Sequence, residues 1–291
     1  MNAIFEQLVN GLATGAVYAL VAAGLSLLFK GLDTVNFAHG EFYVLGGVAV
    51  FVITRQFALN PWWGLLLAVV ATGVLGVVVH FLLIGLLREN PLNVLLATFG
   101  VSLLISNLVS YFFAGTPQPV QPFVPGALIA GPIVIAYQRL IAAAVSLVAV
   151  VGLMIWLRRS RQGRSLRAVA DNREGARIIG INTRSVDRLL FVIAGVTAGL
   201  AGALMSPVTQ VDPFGGLPVM VTAFVVVVLG GVGSVGGALI GGLVLGVAEA
   251  LTVALAGVQW SPAVGYVLLL LVLLFRGPIE QRIRMNRRVS A

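Results

Sequence analysis

Four ionisable side chains fall within stretches apolar enough to cross a bilayer: His39, Glu41, His80 and Glu249. A carboxylate at bilayer depth costs about 2.5–3.5 kcal/mol on insertion scales, so it normally faces protein or a water-filled cavity. Glu249 stands near the middle of LVLGVAEALTVAL, and Glu41 lies early in its span within Asn36-Phe37-Ala38-His39-Gly40-Glu41-Phe42. Such groups can hold or pass a polar solute or a proton, or can hydrogen-bond one helix to another. Asn36, His39, Glu41 and Glu249 are therefore the candidate lining of a translocation pathway, with helix–helix bonding as the plainer alternative. His80 reads as a packed or interfacial histidine, and Asp33 and Asp212 lie at span edges. His39 and Glu41 make a poor acid–base pair, because i,i+2 side chains on a helix point about 200° apart.

No other chemistry is offered. Cysteine is absent, which excludes disulfides, thiolate zinc sites and thiol catalysis, and two histidines are too few for a His-rich metal site. There is no G-x-S-x-G, no H-E-x-x-H and no P-loop. We expect no cofactor, no metal and no enzyme activity, and any ATP-driven work must come from a separate polypeptide.

The elements that position these residues are membrane helices. The 291 residues are 59% hydrophobic and 10% charged, with mean hydropathy +1.05, where a soluble domain is about 25% charged. The reading is an all-α polytopic membrane protein forming a single transmembrane domain over 1–291. Apolar runs predict spans near 8–29, 36–54, 62–87, 91–113, 138–157, 189–209, 219–231, 238–257 and 259–275. The seventh is short and is expected to be broken or re-entrant, so the count is eight to nine. The net charge of +8 is divided by membrane spans into separate clusters, which argues for topology rather than nucleic acid. MNAIFEQ carries an acid and no base before its apolar run, so the first span is expected to be retained rather than cleaved.

Nine arginines lie between Arg158 and Arg188, half of all the basic residues. With this loop inside, Lys30, Arg88, Arg276, Arg282, Arg284, Arg287 and Arg288 also fall inside, leaving Arg55 and Arg139 outside. The positive-inside rule thus predicts a periplasmic N-terminus and a cytoplasmic C-terminus. Trp62 and Trp63 after Asn60-Pro61 suit an outer interface. Four prolines in TPQPVQPFVPG, within the segment from Gly115 to Tyr137, forbid a regular helix there, so we expect an extended external lip.

Glycines recur at four-residue spacing in Gly11/Gly15, Gly195/Gly199, Gly233/Gly237/Gly241 and Gly242/Gly246, which predicts close helix packing. A weak internal echo links GAVYALVAAGL at 15–25 to GVTAGLAGALM at 195–205, each followed later by VLGG. By the expected topology the two copies run in opposite senses, an inverted repeat of the kind transporters use.

Inside the basic loop, Ser165–Ile179 has good helix formers and Gly180 suits a C-terminal cap. Asp171-x-x-Glu174 imitates a capping box, and Asn182 or Thr183 can cap the next helix. Ile178, Ile179 and Ile181 add apolar surface that suits a docking knob better than a topological anchor.

Three motifs in order, Asn36–Tyr43, Gly163–Asn182 and Val228–Ser234, resemble those of the branched-chain amino acid ABC transporter permeases, and specifically the shorter of their two homologous permease subunits. The resemblance implies an inner-membrane importer subunit that works with a second homologous permease and two cytoplasmic ATP-binding subunits. A periplasmic substrate-binding protein and membrane lipid are its other partners. It places an ATPase-coupling loop at Ala170, Asp171, Asn172, Glu174, Gly175, Ala176 and Gly180, although Asp171-Asn172-Arg173-Glu174 departs from the common coupling consensus. Permeation of urea or short amides, a proton-coupled secondary transporter using Glu41 or Glu249, and an intramembrane enzyme using His39 and Glu41 are the competing readings.

Overall fold

A computed structural model describes residues 2–32, 36–84, 91–131 and 133–274. Arg88, Asp33 and the arginines from Arg276 onward lie outside the described residues. The order is α1 (Asn2–Leu32), α2 (His39–Arg55), α3 (Pro61–Val79) continued by a π-helical turn at His80–Ile84, and α4 (Pro91–Phe112). A hairpin follows, β1 (Ala127–Ala130) and β2 (Ile133–Ala136), then α5 (Tyr137–Arg159), α6 (Arg161–Asp171), α7 (Arg173–Ile178) and α8 (Thr183–Thr209). The described chain closes with α9 (Gly216–Gly230), α10 (Val235–Ala256) and the apolar helix α11 (Val258–Leu274).

Among the described residues, α1, α3, α4, α5, α8 and α10 are long and apolar enough to cross a membrane, which makes the chain a polytopic membrane protein. α2 and α9 hold 17 and 15 residues. At 1.5 Å per residue both fall short of a hydrocarbon core about 30 Å thick. The spans expected at 36–54 and 219–231 are therefore shortened, and α11 is short as well.

Contacts define two faces. The loop face carries the end of α1, α6, α7, the start of α8 and the α9–α10 turn. The hairpin face carries the α2–α3 turn, the β-hairpin, the start of α5 and the end of α8. Loop-face helices begin on side-chain caps: Ser160 Oγ accepts from Gly163 N at 2.8 Å, Asn172 Oδ1 from Gly175 N at 2.9 Å, Asn182 Oδ1 from Ser185 N at 3.2 Å and Ser234 Oγ from Gly237 N at 2.9 Å. Asn172, not Asp171, is the cap within the basic loop. Its extended backbone breaks the expected Ser165–Ile179 helix into α6 and α7. Gly180 takes the left-handed conformation that ends α7.

On the hairpin face the proline-rich lip is tied down rather than free. Gln118 and Val211 exchange backbone hydrogen bonds of 3.0 and 2.9 Å. Gln138 accepts from Phe123 N and donates to Leu204 O of α8, at 2.9 and 2.7 Å. Trp62 packs edge-on against Phe123. The β-hairpin, with Ala127 opposite Ala136 and Ala130 opposite Ile133, is a feature that the proline count did not predict.

α1 and α8 are buried along most of their apolar length and form the centre. Each makes a glycine seam. Cβ atoms added at Gly11 and Gly15 would stand 2.5 and 2.6 Å from the Gly246 and Gly242 carbonyl oxygens of α10. Those added at Gly46 and Gly202 would stand 2.0 and 1.8 Å from the Gly199 and Tyr43 carbonyl oxygens across the α2–α8 contact. At both seams backbone lies on backbone, which maximises dispersion contact where lipid provides no hydrophobic drive.

Candidate functional site

α2 begins inside the depth of the protein rather than at its surface. His39 Nε2 donates to Val21 O at 3.0 Å. Val21 is eleven residues, about 16 Å, short of the α1 end. The chain therefore leaves α1 at the loop face, turns back inward and starts α2 there. α9 mirrors this from the opposite side. It follows α8 from the hairpin face, and its first residue, Gly216, packs on the Glu41 carboxylate. α1–α2 and α8–α9 thus repeat one pattern in opposite senses, and their short helices meet at the Gly40–Gly216 contact. The VLGG tetrapeptides do not correspond, since 44–47 lies within α2 whereas 228–231 ends α9.

This junction collects polar groups. Glu41 is buried, accepts from Ser102 Oγ of α4 at 2.8 Å, and has its other oxygen buried without a hydrogen-bond partner. Asn36 Oδ1 accepts from Ala38 N, while Asn36 Nδ2 and His39 Nδ1 are likewise buried and unpartnered. The carboxylate belongs to the first turn of α2 and lies against the first residue of α9, and helix N-terminal ends favour negative charge. His39 reaches toward α1 and Glu41 toward α4, the divergence expected of i,i+2 positions.

Glu249 is elsewhere. It lies on α10 about 10 Å from that helix's hairpin-face end, and its Oε2 accepts from Tyr18 OH of α1 at 3.0 Å. Asn36, His39 and Glu41 thus all lie at the start of α2 with diverging partners, and Glu249 stands apart from them. His80 packs between Phe81 and Phe191, as a structural histidine would.

Three cavities border Tyr18, Glu249 or both. One of about 280 Å³ lies between α1, α2, α8 and α9, lined by Tyr18, Tyr43, Ser206, Thr209 and Asp212 among others. A second, about 450 Å³, opens on the hairpin face and includes Arg139 and Glu249. A third, about 220 Å³, is bounded by Tyr18, Glu249 and Tyr266.

At the loop face the predicted coupling residues divide. Ala176 is buried, Ala170 lines a cavity beside Lys30 and Gly233, and Asp171 pairs with Lys30 Nζ at 2.8 Å. Asn172 is the cap, Gly175 sits against it, and Glu174 and Gly180 are exposed. Ile178 and Ile179 are 86% and 73% exposed, whereas Ile181 packs on the core. Arg173 ties this corner to both central helices, donating to Gly31 O of α1 and to the buried Asp187 of α8. The α9–α10 turn is fastened to the same end of α1, where Gly233 N donates to Ser26 Oγ at 2.9 Å.

Sequence reasoning missed Tyr18, Ser102, Ser26 and the Arg173–Asp187 pair. A lone tyrosine or serine in an apolar run carried a faint signal, and Arg173 was hidden among nine arginines counted only for topology.

Two opposed helix pairs with broken entries, a polar junction at their meeting point and a basic loop fastened to both define a multi-pass membrane protein of permease architecture. Residues 7–275 match the family model of the branched-chain amino acid transport system / permease component, and the chain belongs to that family. It is similar to the high-affinity branched-chain amino acid transport system permease protein BraD of Pseudomonas aeruginosa, 33% identical over 286 residues and 93% of each chain. The corresponding LivH protein of Escherichia coli is 33% identical over 288 residues, 92% of each chain. More distant is the ribose import permease protein RbsC of Escherichia coli, 27% identical over 83% of this chain and 76% of that one.

Proposed function

We propose that the chain is a permease subunit of an ATP-binding-cassette importer that carries branched-chain or other apolar amino acids across the inner membrane. The observation that carries this reading is the fastening of the 158–188 loop. Arg173 bonds α1 and α8 together, and Lys30–Asp171 adds a second tie to α1. A pull on α6–α7 therefore reaches both opposed helix pairs, and the chain's own sequence holds no nucleotide site. Exposed Glu174, Ile178, Ile179 and Gly180 form the surface that meets a cytoplasmic ATP-binding subunit. Asp171, Asn172, Gly175, Ala176 and Ala170 shape and anchor that surface from behind. The hairpin face lies outside and receives a periplasmic binding protein, and a second homologous permease completes the pore.

Asn36, His39 and Glu41 form the inner gate of the pathway and Glu249 lines its outer part. An apolar amino acid suits a route with few fixed charges, and the names of the most similar relatives point the same way. Urea and short amides are the alternative cargo.

The test is co-expression with the ATP-binding subunits and measurement of co-purification. Ile178→Glu together with Ile179→Glu should leave a folded, membrane-inserted protein that no longer retains those subunits. Full retention would remove the docking role from α7. ATP-independent uptake by this chain alone in vesicles would replace the importer reading with proton-coupled transport through Glu41 or Glu249.

A further inference from the structure

The 450 Å³ cavity on the hairpin face carries an unusual set of groups for a wall between apolar helices. Its rim holds Glu6, Gln7, Asn10 and Arg139, and its floor is Glu249. Ala250, beside Glu249, meets Gly11 of α1, and the Glu249 carboxylate reaches from there to Tyr18. At the floor, Tyr18 OH occupies one oxygen of Glu249. Among the described residues the other oxygen has neither a hydrogen-bond donor nor a basic partner. Glu249 is also the point where this cavity adjoins the one reaching Tyr266, and Tyr18 is where that one adjoins the cavity between α1, α2, α8 and α9. Thr14 borders both the open cavity and the one between α1, α2, α8 and α9, so the Tyr18–Glu249 bond stands beside the approach from one to the other.

A carboxylate placed at this depth is costly unless it is matched by a cation. If its role were only to join α1 to α10, a neutral amide accepting from Tyr18 would serve equally well. The carboxylate instead leaves one oxygen open to a polar cavity that holds a guanidinium at its mouth. A guanidinium and carboxylates lining one cavity match a solute that carries both signs of charge.

We propose that Glu249 is the binding site for the ammonium group of the amino acid in transit. Tyr18 holds the carboxylate in place, and Arg139 at the rim attracts the solute's own carboxylate. This rests on the amino-acid importer reading and specifies how that cargo is recognised within the permease. A charge-assisted hydrogen bond from ammonium to carboxylate is stronger than its neutral counterpart and selects for the amine. The amine then leaves Glu249 as the α1–α10 seam shifts.

The experiment uses the complete importer in vesicles, with labelled leucine on the binding protein and ATP on the opposite side. Glu249→Gln preserves the shape and the bond from Tyr18, so assembly judged by co-purification should be kept. Leucine uptake should nevertheless fall by about tenfold or more, the loss expected when a charge-assisted bond becomes a neutral one. Glu249→Asp should recover part of that loss because it restores the charge. Gly100→Ala, at a position where an added Cβ meets nothing within 4 Å, serves as the control and should transport normally. Undiminished uptake with Glu249→Gln overturns the proposal, and so does an Asp variant as inactive as the Gln one. Absence of ATP-dependent leucine uptake by the unaltered complex overturns the importer reading and this proposal together, which distinguishes the two failures.

Discussion

α1–α2 and α8–α9 are built to the same plan and carry different chemistry. In each, a long buried helix crosses, the chain turns back into the protein, and a short helix of 17 or 15 residues returns toward the face from which the long one came. The entry to α2 holds Asn36, His39 and Glu41, all buried, whereas the entry to α9 offers Gly215, Gly216 and Pro218. One entry supplies the polar side chains and the other supplies backbone and space. The Glu41 carboxylate lies on Gly216, so each unit completes the other's site. The lesson is that a repeated topology fixes where a site forms, while sequence divergence between the copies decides what it holds.

That comparison can be broken most severely at the seam between the units. Gly202→Val places a side chain on the Tyr43 carbonyl oxygen, where even a Cβ would stand 1.8 Å away. The backbones must separate, so the cost exceeds the about 1–3 kcal/mol of ordinary core overpacking and the helix pairing itself is lost. We expect loss of monodisperse protein on size-exclusion chromatography in detergent. Gly15→Ala on the α1–α10 seam, at 2.6 Å from Gly242 O, should cost less and leave the protein foldable but less thermostable.

Next in size is Arg173→Ala, which leaves Asp187 buried without its guanidinium. Breaking a buried pair costs about 3–5 kcal/mol, and the 22% exposure of Arg173 places the expected loss toward the lower end. Thermal unfolding in detergent should register this, and added salt should do little to mask it.

Ser102→Ala removes the hydroxyl that donates to Glu41. The cost should be about 1–3 kcal/mol, the range for stranding a buried acceptor. A stability equal to wild type would mean that the α2 and α9 N-termini alone stabilise the carboxylate.

Smallest of all is Lys30→Ala. Its pair with Asp171 is exposed, and such pairs contribute about 0.2–1 kcal/mol, screened further by salt. A thermal shift as large as that of Arg173→Ala would show that the two ties to α1 are equivalent.

Much of this was legible in the residues. The long apolar runs gave the six full-length helices, and Asn182 and Gly180 marked the ends of loop-face helices because caps are local. The four-residue glycine spacing announced the seams, though not that Gly11 and Gly15 meet Gly246 and Gly242 in antiparallel register. Depth was not legible. An apolar run of 17 residues gives the same hydropathy whether it starts at a surface or beside Val21, so α2 and the 36–54 span could not be told apart. The partners of Glu41 and Glu249 were hidden for a related reason. Ser102 and Tyr18 lie 61 and 231 residues from them, and no periodic pattern encodes a contact of that kind. The break at Asn172 was missed because Asp171 and Glu174 offered an equally good capping pattern one residue earlier.

Arg173 grips the end of one central helix and the beginning of the other. Those two ends belong to rods that run in opposite directions along the chain yet stand side by side at the same face, so a tug delivered there moves both the same way. While the tie holds, it resists levering the pair apart from this side. Like a pin through two rods, the tie makes the loop face a place where force is shared between them.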